Sequence, residues 1–396
     1  MIKIELDMYQ TLAVAVLVLM LGAYLKSKIY FLEKFCIPAP VIGGLLFAIF
    51  TCICYTTGVA EFSFDDILRE VCMVFFFTSV GFQANLKVLR SGGKSLILFL
   101  FLVIALIVSQ NLLAVGIAKL LGLSPLVGMC TGSIPMVGGH GTAGAFGPVL
   151  EDFNIKGATT ICTAAATFGL ISGSLVGGPL GKRLIEKRGL LDTAIPEDDT
   201  LLVEDEKKHE RHTNMYAAAV FQLILAIGLG TIFSYFLTKT GLTFPVYIGA
   251  MLAAALIRNI AEYSGKATIH MGEINDLGGI SLSLFLGIAM ITLKLWQLAS
   301  LALPLFILLA VQVLLICCFT YFLLFNIMGR DYDAAVLVAG TCGFGMGATP
   351  NAMANMQAIC EKYTTSVKAY LLIPLVGSLF ADFINSLVIT FFINLI

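Results

Sequence analysis

The sequence predicts an all-α polytopic membrane protein of about ten transmembrane helices, in two inverted five-helix repeats. Each repeat is expected to hold a re-entrant hairpin between its fourth and fifth helices. Three observations carry this expectation. Of 396 residues, 59% are hydrophobic and 12% charged, with a mean hydropathy of +0.95; a soluble chain carries about 25% charge. Apolar runs long enough to cross a bilayer, about 18 residues or more, recur along the chain. Two further stretches lie at membrane depth, yet are too rich in glycine and proline to be ordinary spanning helices.

In chain order, the runs predict spans near 8–25, 37–57, 67–84, 95–121 and 157–180, and then near 215–238, 243–261, 274–292, 298–326 and 369–395. The N-terminus, MIKIELD, is not basic, and the first run ends in Lys26 and Lys28. That pattern reads as a retained anchor, not a cleaved signal. Net charge is −1, which points to neither nucleic acid nor an acidic lipid surface. The ten cysteines lie mostly in apolar runs and behave as small hydrophobes; the pairs Cys52/Cys54 and Cys317/Cys318 lack further ligands at zinc spacing. Residues 181–213, GKRLIEKRGLLDTAIPEDDTLLVEDEKKHERHT, mix both charges with little apolar content, and read as a solvated linker.

Basic residues set the orientation. With the N-terminus outside, eighteen of the 24 Lys and Arg residues fall on inner loops and linker, and only Lys3, Arg69, Lys119, Lys156, Lys239 and Lys294 fall outside. The linker is then cytoplasmic and both termini are periplasmic.

The halves on either side of the linker, 1–180 and 214–396, match at a nearly constant offset. Pro40-Val41 and Gly44 answer Pro245-Val246 and Gly249, 205 apart; Gly132, Gly139 and Gly169 answer Gly340, Gly347 and Gly377, 208 apart. Five spans per half, an odd number, make the second copy inverted in the membrane.

The two glycine-rich stretches occupy 124–150 and 332–358. The first holds seven glycines between Gly128 and Gly147; the second places Gly340, Gly343, Gly345 and Gly347 within eight positions and follows them with Pro350. In hydrocarbon an unpaired backbone group costs several kcal/mol, roughly, so broken backbone persists only where protein or a wet cavity surrounds it. Charges follow each stretch, Glu151-Asp152 and Glu361-Lys362, so each reads as a hairpin that returns to the face it entered. Paired interruptions of this kind point to a solute site and thus to a secondary transporter.

The phrases TGSIPMVGGHGTAGAFGP and AGTCGFGMGATPNAMANM resemble the paired hairpin signatures of the bacterial sodium/glutamate symporters, and the resemblance extends over essentially the whole chain. It implies sodium-coupled uptake of glutamate across a bacterial inner membrane by a multi-pass homodimer with elevator-like movement, with sodium as coupling ion and no other cofactor. The related hydroxycarboxylate carriers share a similar inverted plan.

Substrate contacts are expected from Ser133, Gly138, Gly139, His140, Gly141 and Thr142 in the first hairpin, and from Gly347, Ala348, Thr349, Pro350 and Asn351 in the second. A broken helix offers free N–H groups and partial positive charge to a carboxylate at one half-helix start. At the other half-helix end its free carbonyls suit a cation. Sodium is expected near Thr131, Gly343, Gly345, Asp382 and Asn385. Asp382 is an intramembrane carboxylate, a functional candidate by default, and Asn385 shares its helix face. It suits sodium, the substrate ammonium, or a structural hydrogen bond. His140 suits a substrate carboxylate, a proton relay, or a bond that holds the hairpin. Gln110-Asn111, Gln222 and Gln312 read as helix–helix glue, and Glu273, Asn275 and Asp276 as a solvated flank. The competing functions are a symporter for citrate, aspartate or a similar carboxylate, and a passive channel with half-helix tips. No catalytic motif points to an enzyme.

Overall fold

The computed structural model describes residues 2–35, 37–87, 93–193, 213–239, 246–265, 267–297 and 302–396. The chain starts with strand β1 (Ile2–Leu6), then α1 (Met8–Lys28), α2 (Tyr30–Lys34), α3 (Ala39–Thr56), strand β2 (Ala60–Phe64), α4 (Ile67–Gln83) and α5 (Gly93–Leu120). The first glycine-rich stretch breaks into α6 (Pro125–Met129), α7 (Ser133–Met136) and α8 (Gly139–Asp152), followed by the long α9 (Ala158–Arg188). The second half holds α10 (Thr213–Thr238), α11 (Val246–Ser264), α12 (Met271–Ile291) and α13 (Ala302–Cys318), which runs through a π-helical turn into α14 (Phe325–Ile327). The second glycine-rich stretch forms α15 (Tyr332–Gly345) and α16 (Thr349–Cys360). A last helix, α17 (Val367–Pro374), passes a π-helical turn into α18 (Ala381–Leu395).

The chain is a mostly helical polytopic membrane protein. Among the described residues seven helices are long and apolar enough to cross a bilayer, or eight if the bent pair 367–377 and Ala381–Leu395 is one span. That pair bends by 43°, a kink of the kind π-turns produce.

Local chemistry explains where elements start. Asp7 accepts from Gln10 N at 2.8 Å while Gln10 Oε1 accepts from Asp7 N at 3.1 Å, a reciprocal cap on α1. Asp331 accepts from Ala334 N at 2.7 Å at the start of α15.

Three features differ from expectation. The fold is not purely α: β1 and β2 pair in parallel, Ile2 opposite Ala60 through Leu6 opposite Phe64. Each strand alternates apolar and polar residues, IKIEL and AEFSF, and the α1–α3 helical pair returns the chain so that both run the same way. The fifth expected span continues past 180 to Arg188, because Leu184 and Ile185 are buried; the described start of the linker is therefore helical, and 194–212 lie outside the described residues. Glu273, read as part of a solvated flank, is instead 1% exposed. It sits in the first turn of α12, beside the equally buried Ile274. Asn275 is exposed as expected, while Asp276 is half-buried and accepts from Tyr216 Oη at 2.6 Å.

The chain forms two compact units, each drawn from both sequence halves: Met1–Phe82, His140–Ala164 and Met215–Pro304 in one, and Gln83–Gly139, Ala165–Asn214 and Leu305–Ile396 in the other. The first unit is built on close glycine crossings. A Cβ on Gly43 would fall 1.9 Å from Val18 O, and one on Gly249 would fall 2.2 Å from Gly230 O, so α1/α3 and α10/α11 meet backbone to backbone. Its aromatic centre is Tyr247, stacked on Phe77 at 4.0 Å and edge-on to Phe146. The second unit has a core from α5, α13, α15 and α18, including Phe99, Leu106, Ile316, Phe344 and Ala381.

Candidate functional site

The second unit gathers the interrupted backbone. In α15 the residues Ala335, Ala339 and Cys342 face a glycine stripe on α9, Gly181, Gly177 and Gly173, and Gly169 continues the stripe to Met346 at the break. Cβ atoms at those four glycines would lie 3.1, 2.7, 2.9 and 2.2 Å from the carbonyl oxygens of Ala335, Ala339, Cys342 and Met346. Two asparagines on α16, one turn apart, tie it to the same α9. Asn351 Nδ2 donates to Leu170 O at 2.9 Å, and Asn355 Nδ2 donates to Gly173 O at 3.0 Å.

Helix α15 ends at Gly345, and α16 starts with Ala348 as an extended cap and Pro350 in its first turn, where a missing N–H is harmless. Gly343 lies against the backbone of Ala352, so the two arms fold onto one another across the break. Their far ends also meet: Tyr332 Oη donates to Thr364 O, Ser366 Oγ donates to Asp333 at 2.7 Å, and Lys368 lies 3.8 Å from Asp331. The pair is a helical hairpin whose two outer ends share one face.

The first break approaches the second. Gly139 has φ of +58°, a left-handed conformation open to glycine. A Cβ there would lie 2.9 Å from Gly347 O. Ser133 sits between two amides: its N–H donates to Asn111 Oδ1 at 2.8 Å, and its carbonyl accepts from Asn385 Nδ2 at 3.0 Å and from Gly138 N at 3.1 Å. Across the unit, Gln110 Nε2 donates to Gly345 O at 2.7 Å, and Gln312 Nε2 donates to Gln110 O at 2.9 Å.

Gln110 and Asn385 thus satisfy carbonyls at the breaks, Gly345 O and Ser133 O, while Asn351, Asn355 and Gln312 donate to carbonyls of the intact helices α9 and α5. The other end of most of these amides is left over, a donor in the case of Asn111 Nδ2 and an oxygen in the others. Oε1 of Gln110 and Gln312, Oδ1 of Asn351 and Asn385, and the hydroxyls of Ser133 and Thr341 are fully buried with no hydrogen-bond partner among the described residues. A buried polar atom without a partner costs about 1–3 kcal/mol, so such a concentration calls for an explanation. Oxygens that face no donor suit a hard cation. Among the described residues no three His, Cys, Asp or Glu side chains gather as a metal cluster; an ion here would be held by amides, hydroxyls and backbone. The carboxylate of Asp382 stands one turn before Asn385 on α18, directly after the π-helical turn, and it too has no hydrogen-bond or ion-pair partner among the described residues.

Of the predicted site residues, the structure therefore brings Ser133, Gly138 and Asn385 onto one carbonyl, and Gly139 against Gly347. It places Gly343, Gly345, Ala348, Thr349, Pro350 and Asn351 around the second break. Thr131 is turned inward and donates to Gly128 O at 2.9 Å. His140, Gly141 and Thr142 begin the part of α8 that belongs to the first unit, where His140 and Thr142 are buried and Gly141 lies against Phe76 and Leu282. Sequence reasoning treated Gln110, Asn111 and Gln312 as glue without saying what they hold, and it passed over Asn355 and the α9 stripe. The four-residue spacing of Gly169, Gly173, Gly177 and Gly181 was the available signal.

These features define a polytopic membrane protein whose spans are interrupted around buried, uncompensated oxygens. Residues 4–365 match the sodium/glutamate symporter family. The chain is 40% identical over 395 residues to the sodium/glutamate symporter of Escherichia coli (strain K12), covering 99% of this chain and 98% of that protein. It is 39% identical over 387 residues to the sodium/glutamate symporter of Haemophilus influenzae, covering 96% and 95%. The chain belongs to the sodium/glutamate symporter family.

Proposed function

We propose that this protein imports glutamate with sodium across the bacterial inner membrane, holding both at the meeting of two re-entrant hairpins. The observation that carries this reading is the set of buried amide and hydroxyl oxygens left without donors around two touching helix breaks. Gln110, Asn351, Asn385 and Asp382 supply oxygens to sodium, beside the carbonyls near Gly343 and Gly345; the start of α16 and the N–H groups near Gly139 face a carboxylate. Cation and anion offset one another in a site of low dielectric, so each binds better with the other present. Excess sodium charge then couples uptake to the membrane potential at about 2.3 kcal/mol per charge per 100 mV. The cargo is moved unchanged, as befits a carrier and not an enzyme.

The inverted repeat of 1–180 and 214–396 is supported by the paired crossings Gly22–Gly43 and Gly230–Gly249, which recur at the first two long helices of each half. The hairpin at 332–358 is supported by its closed outer ends. The expected outer loops are supported by the parallel β1–β2 pair, which puts residues 2–6 and 60–64 on one face, the periplasmic one in the ten-span reading. In that reading the body holding both breaks moves as an elevator within a homodimer.

The test is uptake of labelled glutamate by proteoliposomes with sodium, potassium and proton gradients imposed one at a time. Only the sodium gradient should drive accumulation, an inside-negative potential should increase it, and Asp382→Asn should abolish it. Equal accumulation under a potassium or proton gradient would sink the sodium assignment. Stronger competition by citrate or aspartate than by unlabelled glutamate would move the substrate.

A further inference from the structure

A second polar site lies wholly within the first unit, apart from the helix breaks. It is a cavity of about 510 Å³ walled by the end of β2 and the start of α4, by the turn between α8 and α9, and by the residues after α12. In the ten-span reading all three segments are periplasmic loops. Six charged side chains line it: Asp66, Arg69, Glu151, Asp152, Lys156 and Lys294. Their sum is neutral, but they are not equally occupied. Arg69 is held by Asp66 at 2.6 Å, and Glu151 accepts from Thr159 N at 3.0 Å, closing the start of α9. Lys156, Lys294 and Asp152 have no hydrogen-bond or ion-pair partner among the described residues. What stands without any partner is two cations and one anion, beside Glu151, which keeps its charge while one of its oxygens is engaged.

A glutamate zwitterion presents the complement, two carboxylates and one ammonium. From this match we infer that the cavity is an external capture site for an α-amino dicarboxylate, distinct from the site at the helix breaks; the inference rests on the proposed reading for the identity of the cargo and for which face is outside. Lys156 and Lys294 take the carboxylates, and Asp152 takes the ammonium. The charges sit at an exposed mouth over buried Thr159 and Thr160, so binding is loose and fast, and it raises the local concentration of substrate at that surface.

The chain supplies its own reporter. Trp296 is its single tryptophan, two residues beyond Lys294 and stacked on Tyr55 at 4.1 Å. Purified full-length protein is titrated with glutamate while Trp296 fluorescence is read. The Asp382→Asn variant, in which transport is expected to fail, should keep a saturable response. Lys156→Gln with Lys294→Gln should shift it at least tenfold to higher glutamate, and Lys156→Arg with Lys294→Arg should restore it. Glutarate, which lacks the ammonium, should bind more weakly than glutamate to the unaltered protein and no more weakly to Asp152→Asn.

In transport, the double glutamine variant should raise KM for uptake in right-side-out vesicles and leave KM in inside-out vesicles unchanged. A general folding defect would move both. The inference is overturned by KM values unchanged on both sides or raised equally on both, or by a fluorescence response that disappears with Asp382→Asn alone. It is also overturned if phosphatidylethanolamine bilayers abolish the response seen in phosphatidylglycerol, because the cavity would then hold a lipid headgroup. Failure of sodium dependence in proteoliposomes would instead sink the proposed function and leave the binding result standing.

Discussion

Glycine brings helix backbones together in both units, through the α9 stripe in the second, but only the second unit also uses it where helices end. In the first, Gly22 and Gly43, or Gly230 and Gly249, lie inside unbroken helices and let two backbones touch. In the second, Gly345, Gly347, Gly138 and Gly139 stand where helices end. Composition alone does not separate these uses; the neighbours do. At the crossings, glycine faces the carbonyls of intact turns, whose hydrogen bonds are already made. At the breaks, Gln110, Asn111 and Asn385 reach from other helices to satisfy the loosened backbone, and Asn351 reaches from the second break to α9. The crossings should therefore report on folding, and the breaks on transport.

The largest expected effect is at a crossing. Gly43→Ala would put a Cβ 1.9 Å from Val18 O, against backbone that cannot yield. Folded protein should be lost from membranes, as seen by size-exclusion chromatography of detergent extracts. A normal monodisperse yield would break the idea that α1 and α3 are in backbone contact. Next comes Asn351→Leu, which keeps the branched shape but removes the amide that ties α16 to Leu170 O. It should destabilise the protein by about 0.5–1.5 kcal/mol and abolish uptake, measured by thermal unfolding and vesicle assay. Asn351→Asp keeps an oxygen and removes the donor; if it transports like the unaltered protein, the nitrogen bond to α9 is dispensable. At Gly139 a methyl would meet both a φ of +58° and Gly347 O at 2.9 Å. The left-handed conformation costs roughly 1–2 kcal/mol for a residue with a Cβ. Gly139→Ala should therefore fold, with a modestly lower melting temperature, and transport at well under a tenth of the normal rate. Loss of folding at Gly139 as complete as at Gly43 would erase the contrast between crossings and breaks.

Much of this was legible beforehand. The run at 8–25 became Met8–Lys28, and the stretch at 332–358 became Tyr332–Gly345 and Thr349–Cys360, because length, apolarity and helix-breaking residues are local properties. Destinations were not local. Nothing about Gln110 in an apolar run says that its partner is Gly345 O, 235 residues away, since any free carbonyl would satisfy it. The burial of Glu273 was hidden for a similar reason: nearness to a predicted helix end says nothing about which neighbour covers that end. The strand pair was missed because five-residue alternation, IKIEL and AEFSF, is short beside the long apolar runs. The mixed origin of the two units was equally hidden, because hydropathy scores lipid and protein surroundings alike.

The smallest effect sharpens the comparison from the other side. Gly116 in α5 and Gly228 in α10 have open space where a Cβ would stand, and neither has a positive φ. They are neither crossings nor breaks. Glycine inside a helix is less favourable than alanine by up to about 1 kcal/mol, partly because the unfolded glycine chain has more freedom to lose. Gly116→Ala and Gly228→Ala should raise the melting temperature slightly and leave the KM and maximal rate of uptake unchanged. A loss of transport in either variant would mean that these helices must bend or meet a partner during the cycle, so the division of glycines into crossings and breaks would need a third kind. Unchanged transport with equal or greater stability leaves the amide-braced breaks as the places where a single methyl can separate folding from uptake.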